Sequence, residues 1–290
     1  MHEKTIFLSI IIPSYNRQES LDDLITTIDK QANQLTNTAI ELIIVDDGSQ
    51  KKLKKNNQLT TVLTKWIRLE TNYGAPYARK MGYQNSSGKY IHFHDSDDSI
   101  SATWLHQLCK KINANKKLDC LVTGRWVITQ NNAVFKKQKI LKLIAKKPTK
   151  IKTRLTYENC LGPLSGVTFS RQAVAKMRFN NLPSCQDWDM YLDAITDRSI
   201  VEYDWSNSFI KNDTQSDQIS KNIRKKCLGV FQLARIHNMN KNRWKLLRLS
   251  FVYKLSNHTT QEHEQLKRFY SKNIIQVNVS HLLIELLKKL

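Results

Sequence analysis

Tyr90-Ile91-His92-Phe93-His94-Asp95-Ser96-Asp97-Asp98 places an apolar-rich run directly before three carboxylates in four positions. The run has the length and composition of a buried strand, and a helix-like segment follows from about Ser101. Three adjacent carboxylates repel one another, so a strand end keeps them together only where something cationic compensates. A divalent ion carrying a diphosphate would do this, because Mn²⁺ and Mg²⁺ take carboxylate and phosphate oxygens. An acidic turn capping the next helix would use the same residue types. His92 and His94 alternate on the run and are read as packing or pocket-rim residues rather than metal ligands.

Working upstream, the same pattern recurs. Ile6-Phe7-Leu8-Ser9-Ile10-Ile11-Ile12 is a β-branched run stopped by Pro13, as a buried strand would be. It is too short, and lacks the small-residue cleavage site, for a signal peptide. Asn16 or Ser20 can cap a helix whose apolar positions are Leu21, Leu24, Ile25 and Ile28. Strand Ile40–Val45 ends in Asp46-Asp47-Gly48-Ser49. A third strand, Trp66–Leu69, precedes Asn72-Tyr73-Gly74 and a helix through Ala75–Tyr83. This alternation predicts a mainly parallel α/β sheet with helices on both faces. Ligands bind beyond the carboxyl ends of such strands. There the loops Pro13-Ser14-Tyr15-Asn16-Arg17, Asp46-Asp47-Gly48-Ser49 and Asp95-Ser96-Asp97-Asp98 converge on one edge.

Downstream, Leu118–Thr129 and Ala133–Phe135 read as a hairpin around Asn131-Asn132. Gly162-Pro163-Leu164-Ser165-Gly166-Val167 is a loop-to-strand transition. A helix starts near Asp187 and carries Trp188, Met190, Tyr191, Leu192 and Ile195. From about Ser220 the pattern is helical and basic, through Arg243-Trp244-Lys245-Leu246-Leu247-Arg248-Leu249 to the C-terminus.

Charge is distributed unevenly. The 290 residues carry a net charge of +21. Residues 136–154 hold nine Lys or Arg and no acid, and residues 221–290 hold fifteen against three acids. The remaining chain is balanced, so the excess is local. Such segments favour an anionic lipid surface or nucleic acid, and a solvated surface would also carry them. Nothing else resembles a nucleic-acid-recognition motif, and nucleic acid is not an expected partner. Five scattered cysteines without a C-x-x-C pair argue for reduced thiols and a cytoplasmic setting, against zinc or a disulfide framework. No run approaches the about 18 apolar residues that span a bilayer.

Five short pieces, in order, resemble family 2 glycosyltransferases with the GT-A fold. They are Ser9-Ile10-Ile11-Ile12-Pro13-Ser14-Tyr15-Asn16-Arg17; Val45-Asp46-Asp47-Gly48-Ser49; Asn72-Tyr73-Gly74 with Ala78-Arg79 and Gly82; Asp95-Ser96-Asp97-Asp98; and Gln186-Asp187-Trp188-Asp189. The likeness runs from Leu8 to Ile195. It implies a Rossmann-like GT-A catalytic domain over residues 1–220, with a nucleotide-sugar half to about residue 130 and an acceptor half from 131. Residues 221–290 would be a basic helical extension.

The resemblance also implies roles. Pro13 and Tyr15 would line the base, and Asp46 and Asp47 would accept from a uracil N3–H, or else cap the turn at Gly48-Ser49. Arg17 and Arg79 would meet the diphosphate. Asp97 would ligate Mn²⁺ or Mg²⁺, Asp95 would contact ribose or metal, and Asp98 would assist. Asp187 would be the catalytic base of an inverting transfer, with Asp189 the weaker candidate. Trp126 and the Gly162–Val167 loop would shape donor specificity. The implied activity moves a sugar, from a UDP-linked donor, to a glycan or lipid-linked glycan of bacterial lipopolysaccharide or capsule. Residues 136–154 and 221–290 would rest peripherally on the inner membrane face, with Trp244, Phe251 and Tyr253 near the headgroups. A nucleotide-sugar-binding protein without turnover is the alternative. Two departures stand out: Gln186 occupies a position where the family more often has Glu. In addition, no His occurs between His106 and His237, although many relatives place one near Ile210–Gln215.

Overall fold

A computed structural model describes residues 5–36, 38–56, 59–128, 132–136, 151–156, 158–212 and 223–239. Most of the basic stretch 136–154, the loop beyond Asn212 and the helices expected after residue 239, with Trp244, Phe251 and Tyr253, lie outside them. The described residues fall into two compact units, Met1–Asn181 with Gln186–Gln215, and Leu182–Cys185 with Ser216–Leu290.

The first unit is built on one sheet. Strands β1 (Leu8–Ser14), β2 (Ile40–Asp46), β3 (Leu63–Arg68) and β4 (Tyr90–Phe93) are parallel, in the order β3-β2-β1-β4. Every residue of β1, β2 and β4 is buried, which is why they read as aliphatic runs and not as alternating ones. Helix α1 (Gln18–Ala32) buries Leu21, Leu24, Ile25 and Ile28 as their spacing predicts. They pack with Leu8, Ile10, Ile12, Leu42 and Ile44 and with Trp104 and Leu108 of a later helix. Helix α2 (Ala75–Gln84) covers the opposite face: a Cβ on its Gly82 would lie 2.3 Å from Ile11 Cγ2.

Several boundaries differ from expectation. Pro13 does not stop β1, which continues to Ser14 beside Asp46. Ile11 O accepts from His94 N at 3.0 Å, and Ser14 O from Asp47 N at 2.9 Å. Backbone groups alternate sides along a strand, so Pro13 turns its missing N–H toward β4, whose pairing has already ended at Phe93. Neither Asn16 nor Ser20 caps α1; Arg17 occupies the cap position, and its side chain makes no capping bond to the helix. Asn16 is otherwise engaged: its N–H donates to Ser49 Oγ and its Oδ1 accepts from Gln50 N, both at 2.9 Å. The segment after the acidic residues first forms a two-residue strand, β5 (Ser99–Ile100), before α3 (Trp104–Ala114).

The second half of the sheet is mixed. Strand β6 (Cys120–Ile128) pairs antiparallel with β7 (Ala133–Lys136), the expected hairpin. After the short helix α4 (Ile151–Leu155) and a 3-10 turn at Leu164–Gly166, β8 (Val167–Ser170) inserts antiparallel between β4 and β6. Helices α5 (Arg171–Val174) and α6 (Gln186–Ala194) follow. Strand β9 (Val201–Asn212) is parallel to β6 and antiparallel to β5, completing the order β3-β2-β1-β4-β8-β6-β9-β5. This is the α/β fold expected, parallel through β1–β4. In the second unit, α7 (Ile223–Ile236) lies against Ser184 at Gly229, where a Cβ would come within 2.5 Å of the Ser184 carbonyl oxygen. Among the described residues no helix is long and apolar enough to cross a membrane.

One buried charge organises the amino ends of the parallel strands. Glu41 Oε1 accepts from Ser9 Oγ at 2.6 Å, Ser87 N at 2.5 Å and Gly88 N at 3.1 Å, while Lys65 Nζ lies 3.3 Å from Oε2. Burial pushes this carboxyl up, but the bonds from Ser87 and Ser9 and the Lys65 charge outweigh it and hold it below the usual range. Its stabilising effect is therefore present above the unfolded carboxylate value and is lost as pH falls through the folded one. Glu41→Ala is expected to lower unfolding free energy by about 3 kcal/mol at neutral pH, because it strands these donors. Urea denaturation at pH 7 and pH 4 should show the deficit shrinking in acid.

Candidate functional site

The carboxyl ends of β1, β2, β3 and β4 bring the polar loops to one edge. Asn16 (φ 54°) ties the loop after β1 to the loop after β2 through Ser49 and Gln50. Gly48 (φ 69°) turns that second loop against Thr71, where a Cβ would lie 2.3 Å from backbone carbon. Pro13 is buried in β1, and Tyr15 is exposed at the strand's end.

The paired aspartates hold the loops from within. Asp46 Oδ1 accepts from Ser49 N at 2.9 Å, and Oδ2 accepts from Leu53 N at 3.3 Å and forms an ion pair with Arg68. Burial raises the Asp46 carboxyl, but bonds from Ser49 and Leu53 and the Arg68 charge hold it low. Asp47 accepts from Tyr73 N and Gly74 N, one on each oxygen at 2.9 Å. Burial dominates there and pushes Asp47 up, with Asp46 adding to the rise. A carboxylate offers about four acceptor directions. Asp47, with one donor per oxygen, keeps more capacity for an imide N–H than Asp46 does.

The acidic loop is matched by cations. Arg79 Nη2 donates to Asp95 Oδ1 at 2.6 Å, and Arg17 Nη1 lies 3.2 Å from Asp97 Oδ2. Asp95 N donates to Ser165 Oγ at 3.1 Å, and Asp98 N to Asp95 O at 3.0 Å. From β9, Asn212 Nδ2 donates to Asp97 O at 2.8 Å. The pairing Ser99 with Ile210, continued by one residue, sets Lys211 opposite Asp98. Lys211 opposes the rise of both Asp97 and Asp98. Burial raises Asp97, with Asp95 adding to the rise and Arg17 opposing it. Burial together with Asp95 pushes Asp98 up to about 7. Asp95 behaves oppositely: burial would raise it, but Arg79 holds it low.

Among the described residues no three His, Cys, Asp or Glu side chains form a metal-binding group. The donor set nevertheless fits a hard cation completed by phosphate oxygens. Asp95 and Asp97 are carboxylates on one turn, and both buried oxygens of Asp98 lack a hydrogen-bond partner. His92 and His94 are packed instead. His92 Nδ1 lies 2.8 Å from Thr168 Oγ1 and its Nε2 lies 3.1 Å from His94 Nδ1, with both rings edge-on to Trp104. Burial keeps both neutral, His94 falling to about 4.

Asp187 approaches from the first turn of α6. Its Oδ1 accepts from Trp188 N at 2.7 Å and its Oδ2 from Asn159 Nδ2 at 2.8 Å. The Asn159 carboxamide cannot flip, because its Oδ1 accepts from Leu161 N and Gly162 N. Burial pushes Asp187 up; Trp188 N–H, Arg79 and Asn159 oppose this, and Asp95 reinforces it. Asp187, Arg79 and Asp95 therefore share one electrostatic site. Asp189 is fully buried and accepts from Asn180 Nδ2 at 3.0 Å. Arg125 of β6, its Nε buried without a hydrogen bond, interacts with Tyr191, Asp187 and Asp98. Trp126 beside it is exposed.

Sequence reasoning missed Arg68, Arg125, Asn159 and Lys211. Only Asn159 carries a local signal, a polar side chain three residues before Gly162 (φ 85°).

Comparisons with known proteins give the family and the fold. The model for Glycosyl transferase family 2 matches residues 9–178, more than half of the chain. Two uncharacterized glycosyltransferases of Haemophilus influenzae are similar. One is 26% identical over 200 residues, covering 68% of this chain and 64% of the relative, so the chain spans slightly less than two thirds of that protein. The other is 27% identical over 235 residues, covering 78% and 86%. A crystal structure of S. aureus TarS 1–349 in complex with UDP-GlcNAc has a TM-score of 0.65. It covers 93% of this chain and 81% of that one at 18% identity, a likeness of fold. TarS is the poly(ribitol-phosphate) β-N-acetylglucosaminyltransferase of Staphylococcus aureus, 27% identical over 155 residues, or 51% of this chain and 26% of TarS. Asp187 lies beyond the family match.

Proposed function

Since the chain belongs to the family 2 glycosyltransferases, we propose that it moves a sugar from a UDP-linked donor to a hydroxyl of a glycan or lipid-linked glycan, inverting the anomeric carbon. The observation that carries this reading is Asp187. It is a carboxylate raised by burial, held by Asn159, and electrostatically linked to the Asp95–Arg79 pair from a different element.

Each residue has a task in such a reaction. The exposed ring of Tyr15 offers a face to the base, and Asp47 retains acceptor capacity for its imide N–H. Arg17 and Arg79 present guanidinium forks to the diphosphate. Asp97 and Asp95 would hold Mn²⁺ or Mg²⁺, which as a Lewis acid supplies charge stabilisation to the departing UDP. Asp187 removes the proton of the acceptor hydroxyl as its oxygen attacks opposite the leaving group. One such base suffices, whereas retention through a glycosyl-enzyme needs a second, nucleophilic carboxylate close by. Asp189 is a poor base, being enclosed and bound to Asn180. The UDP-GlcNAc complex of TarS supports a UDP-linked donor. A surface glycan such as lipopolysaccharide or capsule, reached from an anionic membrane surface through the basic segments, suits the localised charge.

Calorimetric titration of UDP with and without Mn²⁺ tests the donor site. Metal-dependent binding that disappears in Asp97→Ala is the expected result, and binding indifferent to both would remove the metal from the reading. A panel of nucleotide sugars then tests transfer; no hydrolysis or transfer from any UDP sugar would refute it.

A further inference from the structure

We propose that Arg17 shields Asp97 from free divalent cations, so that metal enters the site together with the diphosphate and binds poorly on its own. The inference rests on the donor-site reading above. The two ligand carboxylates, Asp95 and Asp97, already face three cations, Arg79 at 2.6 Å, Arg17 at 3.2 Å and Lys211 from β9, so neither carries an uncompensated charge. A free cation would have to displace Arg17 from its 3.2 Å contact with Asp97 Oδ2 and then sit among three positive groups. A diphosphate changes that balance. Its negative oxygens give Arg17 a new partner and supply the remaining ligands that two carboxylates cannot.

The geometry singles out Arg17 as the group that moves. Its side chain is 26% exposed, whereas that of Arg79 is 7% exposed and locked 2.6 Å from Asp95. Arg17 stands at the cap position of α1, at the end of the loop that carries Tyr15. Asp97 stays in place while Arg17 turns, because Asn212 Nδ2 holds its carbonyl and the Asp98 N–H to Asp95 O bond closes the turn. Metal and diphosphate must then strengthen each other's binding by equal factors.

Mn²⁺ binding to the full chain, followed by electron paramagnetic resonance without nucleotide and with saturating UDP, tests this without turnover. In the native protein UDP is expected to tighten Mn²⁺ by about 10-fold or more, within the usual range of coupling between sites. Arg17→Gln should bind free Mn²⁺ about 10-fold tighter than the native chain and lose most of the UDP-dependent gain, while Arg17→Lys, which keeps the charge, should retain much of the shielding. Asp97→Asn should abolish binding in either background, placing the ion. Unchanged free-Mn²⁺ affinity in Arg17→Gln, with UDP-dependent binding intact in the native protein, would overturn the shielding role alone. Absence of Mn²⁺ binding in the native protein even with UDP would overturn the donor-site reading with it.

Discussion

Asp187→Asn is expected to lower kcat by about 10³-fold while leaving UDP affinity nearly unchanged, within the 10²–10⁴ that a positioned base contributes. The substitution keeps the shape, and an amide oxygen can still accept from Asn159 Nδ2, now at 2.8 Å from the carboxylate. What it removes is the ability to take a proton. The pH profile distinguishes this from a structural defect. Burial raises the native carboxyl, and a base acts only when ionised, so turnover should climb with pH through that raised value. The residual activity of the variant should lack this climb. Full activity in Asp187→Asn would transfer the proton step to another group.

Legibility in the sequence followed burial and local chemistry. Strands β1, β2 and β4 were visible because burial on both faces makes them continuous aliphatic runs, each ending in polar residues. Their loops could be assigned to one edge because parallel strands end together. Strand β9 was missed although Val201-Glu202-Tyr203-Asp204-Trp205-Ser206 alternates apolar and polar residues as a half-buried strand does. Asn207 and Ser208 then break the alternation, and the register against β6 shifts between Thr123 and Gly124. Without β9, neither Lys211 nor Asn212 could be placed against the acidic loop, and the stretch lacking a His read simply as a gap. Asp46 and Asp47 left two options in the sequence, turn capping or base recognition. The backbone bonds to Ser49, Tyr73 and Gly74 occupy part of each carboxylate and leave Asp47 the more available. Asn159 and Arg125 owe their importance to what the fold brings beside them, Asp187 and Asp98, which neighbours in sequence do not reveal.

Arg79→Met should be the most damaging change outside the base and the acidic loop, because one guanidinium serves several groups. It donates to Asp95 at 2.6 Å and also restrains the rise of Asp187. Removing it leaves Asp95, whose side chain is 31% exposed, without its cation, a loss of about 2 kcal/mol once solvent screening is allowed for. The sign of its pH dependence follows from Asp95, held low by Arg79 against burial. The native advantage is present above the unfolded carboxylate value and disappears as pH falls through the folded one, so denaturation curves of native and variant should converge in acid. Catalysis suffers separately. A fixed positive group aimed at developing charge is worth about 10²–10³ in rate, and kcat/KM should fall by that factor. The acidic limb of the pH profile should also move to higher pH, since Asp187 loses a cation that favoured its charged form. Arg79→Lys keeps the charge without the fork, so it should restore the limb's position but not the full rate. A limb that stays fixed in Arg79→Met would uncouple Arg79 from the base and leave it a role at Asp95 alone.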